Sequence, residues 1–134
     1  MSASQDRHDS RLRILLADSH RGAARQERWA HYGFHAVVAH DAMEALERFR
    51  DDEPGLVLID DGLEGFELSG LVRILRSSAR GPPVRVLLIT HGDEGAEEAD
   101  AVGADGFIRA PPQRGRLPEA VERALAMNHH WSPT

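Results

Sequence analysis

The sequence, 134 residues long, predicts a single α/β domain built on a parallel sheet. Three observations predict it. Five short apolar runs recur along the chain. The stronger ones are near-continuous rather than alternating, as strands read when helices cover both faces of a sheet. Segments with helical periodicity separate the runs, and right-handed crossovers then place helices on both faces.

Taken in order, the strand runs are Leu12 to Ala17, His35 to Ala39, Leu56 to Ile59, Val84 to Ile89 and a weaker Gly106 to Ile108. The first helix, about His20 to Tyr32, has apolar content mainly in Ala23, Ala24, Trp29 and Ala30. Asp41 followed by Glu44 resembles a capping box, and Ala42, Ala45, Leu46 and Phe49 follow as one apolar stripe. Pro54 and Gly55 stop that helix. Leu68, Leu71, Val72 and Leu75 repeat the spacing before Gly81-Pro82-Pro83. Ala96, Ala99 and Val102 form a thinner stripe that Gly103 caps, and Pro118 opens a last helix with Val121, Ala124 and Leu125. Residues 1–10 read as a flexible segment, 11–127 as the domain and 128–134 as a tail.

The composition narrows the chemistry. Hydrophobic residues make up 41% and charged residues 28%, ordinary for a globular chain, and the net charge is −6. A domain-wide basic footprint for nucleic acid is therefore absent. With no cysteine, disulfides, zinc–thiolate sites and thiol catalysis are excluded. No apolar run is long enough for a membrane helix, and Met1 to Arg13 lacks a signal-peptide core, so a cytoplasmic location is expected. All 16 basic residues are arginine, which excludes any mechanism needing a lysine amine.

Ligands of open parallel sheets bind beyond the carboxyl ends of the strands. Asp18-Ser19-His20, Asp60-Asp61, Thr90-His91 and Arg109-Ala110-Pro111 stand there. Two carboxylates about 4 Å apart repel by about 4 kcal/mol at an effective dielectric near 20. Such a cluster needs a hard cation, a proton or an arginine to balance it. Magnesium suits oxygen ligands of this kind. The plain structural alternative is that these acids cap strand ends and helix starts.

Four stretches carry a resemblance to the receiver domains of bacterial two-component response regulators, covering about Arg11 to Ala126. Arg13-Ile-Leu-Leu-Ala-Asp-Ser-His20 resembles the family's first strand with its acidic end. Pro54-Gly-Leu-Val-Leu-Ile-Asp60 resembles the third strand, and Leu87-Leu-Ile-Thr90-His-Gly-Asp-Glu94 the fourth. Val102-Gly-Ala-Asp-Gly-Phe-Ile-Arg-Ala-Pro111 resembles the Ala-Gly-Ala…Tyr…Lys-Pro ending. The resemblance implies a flavodoxin-like, doubly wound sheet of five strands in the order 2-1-3-4-5. It implies that Asp60 is the phospho-acceptor position, Thr90 the switch hydroxyl and Phe107 the aromatic switch. It also implies Mg2+ held by Asp18, Asp60 and the backbone carbonyl of Gly62. At most such a domain catalyses its own aspartyl phosphorylation and hydrolysis.

The departures are as informative. Ser19 replaces the second acid and could serve only as a weak, neutral metal ligand. Asp61 is a spare acid that strand alternation would point away from Asp60, and it reads as the start of the following loop. Ala110 replaces the phosphoryl-pairing lysine; Arg109 next to it should face the other way, and Arg114 lies on the following element. Phe107 lacks a tyrosine hydroxyl, and Glu64 stands where a proline usually stiffens the loop. The segments Asp18 to Gly33 and Thr90 to Ala110 are shorter than the family's usual spacing.

Two function readings follow. In one, an atypical receiver works as a protein-interaction module with weak or no dependence on phosphorylation. The face formed by the fourth helix, fifth strand and fifth helix then meets the partner, with Glu97, Glu98, Asp100, Phe107 and Arg109 as candidates, against the alternative of a solvated face. In the other, Asp60 takes a phosphoryl group from a histidine kinase or phosphotransfer protein. Neither involves DNA or a membrane, and a homodimer is compatible with both. Arg73, Arg76 and Arg80 read as a solvated or salt-bridged stripe. Asp18-x-His20 also resembles the Asp-x-His-x-x-Gly motif of cobalamin-binding domains, but Ala23 occupies the glycine position. The remaining histidines form no ligand set.

Overall fold

The computed structural model describes residues 13–81, 83–110 and 118–126. Five strands alternate with five helices: β1 Arg13–Ala17, α1 Gly22–His31, β2 His35–Ala39, α2 Ala42–Asp52, β3 Leu56–Asp60, α3 Leu68–Ser78, β4 Arg85–Thr90, α4 Gly95–Val102, β5 Gly106–Arg109 and α5 Glu119–Ala126. The strands form one parallel sheet in the order β2-β1-β3-β4-β5. The expectations for residues 1–10 and 128–134, and for Arg114, lie outside the described residues.

The continuous apolar runs divide by strand alternation into two cores. Leu15, Ala17, Val57, Ile59, Val86 and Leu88 face α2, α3 and α4. Ile14, Leu16, Leu56, Leu58, Leu87 and Ile89 face the other way, against Trp29 of α1 and Val121, Ala124 and Leu125 of α5. Every residue of β3 is buried, so Asp60 is carried into the interior by its own strand. The carboxyl ends of the strands bring Asp18, Asp60 and Thr90 to one rim.

Local chemistry fixes the helices. The Asp41 carboxylate accepts the N–H of Glu44, and the Glu44 carboxylate accepts the His40 N–H, which caps α2. Glu53 ends α2 in a left-handed conformation (φ 44°) immediately before Pro54. Gly103 closes α4 at φ 82°, as its position in the sequence predicts. Pro118 directly precedes α5 and accepts the N–H groups of Val121 and Glu122. Arg76 spans to Asp105 and to two backbone carbonyls, so this member of the basic stripe is salt-bridged.

The first helix is seated differently from the others. Ala23, Ala24 and Ala30 are exposed; the helix is buried through Gly22 and Trp29 instead. A Cβ at Gly22 would lie 2.5 Å from Val38 Cγ1, so glycine lets the helix start hard against β2. That close approach brings the next turn of α1 over the rim.

Candidate functional site

The rim is built around Asp18, Asp60 and Thr90, whose residues are 1%, 6% and 0% exposed. Asp18 follows β1 directly. Its Oδ1 accepts the backbone N–H groups of His20 (2.9 Å) and Arg21 (2.8 Å), turning the chain into α1. Side chains on a helix lean toward its N-terminus, so Arg25, in the first turn of α1, reaches back over the strand ends. Its Nη1 donates to Asp18 Oδ2 at 2.7 Å and to Asp60 Oδ1 at 2.6 Å. The Arg25 side chain is only 13% exposed. The balancing charge that the acids require is this guanidinium.

His91, just past β4, adds a second hydrogen bond to Asp60 Oδ1, from Nε2 at 2.8 Å. Its Nδ1 faces Arg21 Nη1 and its Nε2 faces Arg25 Nη2, each at 3.5 Å. Asp60 Oδ2 accepts the Gly62 N–H at 2.8 Å. Burial pushes the Asp60 carboxyl up, but the hydrogen bonds from His91, Arg25 and the Gly62 backbone, with the Arg25 charge, outweigh it and leave the group below its ordinary value.

A carboxylate with a lowered value in the fold contributes stability above the unfolded value, 3.8 for Asp, and loses it as pH falls through the folded value. Part of the acid-induced loss of stability below about pH 4 is therefore expected to come from Asp60. Asp60→Asn should flatten that part of the curve in denaturant melts taken at stepped pH. A variant curve that parallels the wild type would remove Asp60 from the account.

Other expected residues fall differently. Ser19 does not face Asp60: its hydroxyl donates to the His40 carbonyl at 2.7 Å and accepts the Glu64 N–H at 3.0 Å. It stitches two loops together. Asp61 belongs to the turn after β3, so strand alternation does not govern it, and its Oδ1 comes to 3.7 Å from His91 Nε2. Arg109 faces away from the rim and pairs with Asp93 at 3.1 Å. Thr90 Oγ1 is buried with no hydrogen-bond partner among the described residues. Phe107 is half-buried, and its ring packs against Gly95 at the start of α4.

The donor set does not fit magnesium as it stands. Each of the four oxygens of Asp18 and Asp60 already accepts at least one N–H. Magnesium demands near-octahedral oxygen ligation, and a cation bridging Asp18 and Asp60 would have to displace Arg25 Nη1 from between them. Asp60, Asp61 and His91 do bring potential ligand atoms within 4.8 Å of one another. Arg25 holds the Asp60 oxygen of that group as well.

Arg25 is the residue that sequence reasoning missed. The charge balance called for an arginine or a cation, but the search for it ran along Arg109 and Arg114 beside the missing lysine. The signal was the buried Gly22 start of α1, which leaves a helix with little apolar surface and an arginine one turn in.

No family model matches the chain. It is 29% identical over 132 residues to the response regulator MprA of Mycobacterium avium, covering 91% of this chain and 53% of that protein. It is 30% identical over 100 residues to the transcriptional regulatory protein ZraR of Escherichia coli, covering 73% of this chain and 22% of that one. The chain thus spans about a fifth to a half of these relatives. Among solved structures, the response regulator receiver domain protein of Clostridium thermocellum superimposes with a TM-score of 0.73 at 19% identity, covering 87% of this chain and 96% of that one. Among the described residues no helix is long and apolar enough to cross a membrane.

Proposed function

We propose, from the premise that this chain is a receiver domain of the response-regulator kind, that it acts through protein contacts in one fixed state, without phosphorylation. The observation that carries this reading is the single guanidinium nitrogen of Arg25 held at 2.7 Å and 2.6 Å from the two buried carboxylates. A phosphoryl group arriving at Asp60 must displace donors that now hold its carboxylate. Asp60 Oδ1 accepts two side-chain donors and Oδ2 a backbone N–H. A phosphoryl group would bring roughly one to one and a half further negative charges. Ala110 offers no cation to receive them.

The contact surface under this reading is the face of α4, β5 and α5. Glu97, Asp100 and Arg109 are exposed there. Burial raises the Glu98 carboxyl above its ordinary value, with Asp61 and Glu94 adding to the rise. Phe107 supports the face from within.

One observation favours phospho-acceptance on Asp60 instead. The buried hydroxyl of Thr90 has no partner among the described residues, and a phosphoryl oxygen would supply one. Beryllium fluoride with magnesium, a phosphoryl mimic for carboxylates, separates the two readings. No change in melting temperature is expected for the wild type. A magnesium-dependent rise that Asp60→Asn abolishes would refute the fixed-state reading and support the second.

A further inference from the structure

Beside the acid clamp, between α1 and the ends of β4 and β5, lies a groove of about 460 Å³. That volume falls within the range of small-molecule sites. Its floor is apolar: Trp29, Ile89 and Ile108 are all nearly fully buried, and Ala110 completes it. Alanine in place of a long side chain keeps that floor open. Trp29 is itself fixed, edge-on to Phe34 with ring centres 6.0 Å apart.

The rim of the groove is cationic in a chain whose net charge is −6. Arg21, Arg25 and Arg28 recur at helical spacing and line the groove together. Arg25 is committed to Asp18 and Asp60. Arg21 and Arg28 have no carboxylate partner among the described residues, and Arg21 approaches only His91. Two uncompensated guanidinium groups above an apolar floor with a rigid indole describe one kind of occupant.

We propose that this groove binds a small organic anion with a flat apolar body, its anionic group on Arg21 and Arg28 and its body against Trp29, Ile108 and Ala110. The planar forks of the two arginines suit a carboxylate, sulfonate or phosphate group. The proposal does not depend on whether Asp60 is ever phosphorylated, because neither Arg21 nor Arg28 touches it.

Anilinonaphthalene sulfonate is the probe, since it joins a single anionic group to flat rings; N-phenylnaphthylamine is its uncharged comparator. Fluorescence titration of the full chain should show saturable binding at one site. The comparator should bind at least about tenfold more weakly, the effect of losing a charge-assisted hydrogen bond. Arg21→Ala with Arg28→Ala should weaken the sulfonate by about tenfold or more without lowering the melting temperature. Arg28→Gln alone, conservative and at the rim, should weaken it in the same direction. Ala110→Leu should also weaken it, by filling the floor. Dye taken up by a loosened core would instead be unsaturable and would accompany a lost melting transition. No saturable binding, equal binding of the uncharged comparator, or binding indifferent to the arginine and Ala110 variants would overturn the proposal.

Discussion

Arg25→Ala is expected to unfold with about 3–5 kcal/mol less stability at neutral pH, the cost of leaving buried charge unpaired. For a domain of this size that is a fall in melting temperature on the order of 10 °C. The reason is the geometry of one atom. Arg25 Nη1 is the shared donor for Asp18 and Asp60, and both residues are almost wholly buried. Without it, two carboxylates face each other in a medium that screens poorly, and Asp60 keeps only His91 and Gly62 as donors. The same substitution should create a magnesium-dependent rise in melting temperature that the wild type lacks, because a hard cation can then take the vacated place. Combining Arg25→Ala with Asp18→Ala should cost less than the sum of the two single losses, as coupled groups do. A melting temperature for Arg25→Ala within a degree or two of the wild type would mean that the clamp contributes little.

Gly95→Ala is expected to be the second most damaging change, at about 1–3 kcal/mol, the usual cost of overpacking. A Cβ at this position would lie 2.4 Å from Phe107 Cδ2 and 2.9 Å from Thr90 Oγ1. Alanine favours a helix over glycine by roughly 1 kcal/mol at most. That gain is smaller still at a first helical residue, so the collision decides the sign. The ring of Phe107 must move, and its proton resonances should shift. Pairing Gly95→Ala with Phe107→Leu should recover part of the loss, since the smaller side chain vacates the contested space. A Gly95→Ala protein with unchanged stability and unchanged Phe107 resonances would show that the ring is not held there.

How far the sequence reveals this fold depends on the kind of interaction. The buried strands are plain in it because a strand covered on both faces must be apolar throughout: Leu56 to Ile59 is one unbroken run. The stops are equally local: Gly103 adopts the left-handed conformation that its place after the stripe on α4 predicts. α1 resists the same treatment. It is seated by a missing Cβ at Gly22 and by one indole, not by an apolar stripe, so its alanines mislead.

The site divides in the same way. Asp18, Asp60 and Thr90 are legible as strand-end residues because sheet topology alone brings strand ends together. Arg25 is not, because its part depends on how far a long side chain leans back along its helix. The hydrogen bonds of Ser19 are hidden from the sequence for a related reason. Its neighbour in sequence faces the rim, but a free loop carbonyl at His40 and an N–H at Glu64 give its hydroxyl better partners.

Under the proposed function, Arg25 holds Asp60 in a state that neither binds magnesium nor accepts a phosphoryl group. Intact mass of the wild-type chain after incubation with acetyl phosphate and magnesium tests it most directly. An unmodified mass is expected. A magnesium-dependent phosphoryl adduct on the wild type, absent from Asp60→Asn, would contradict it.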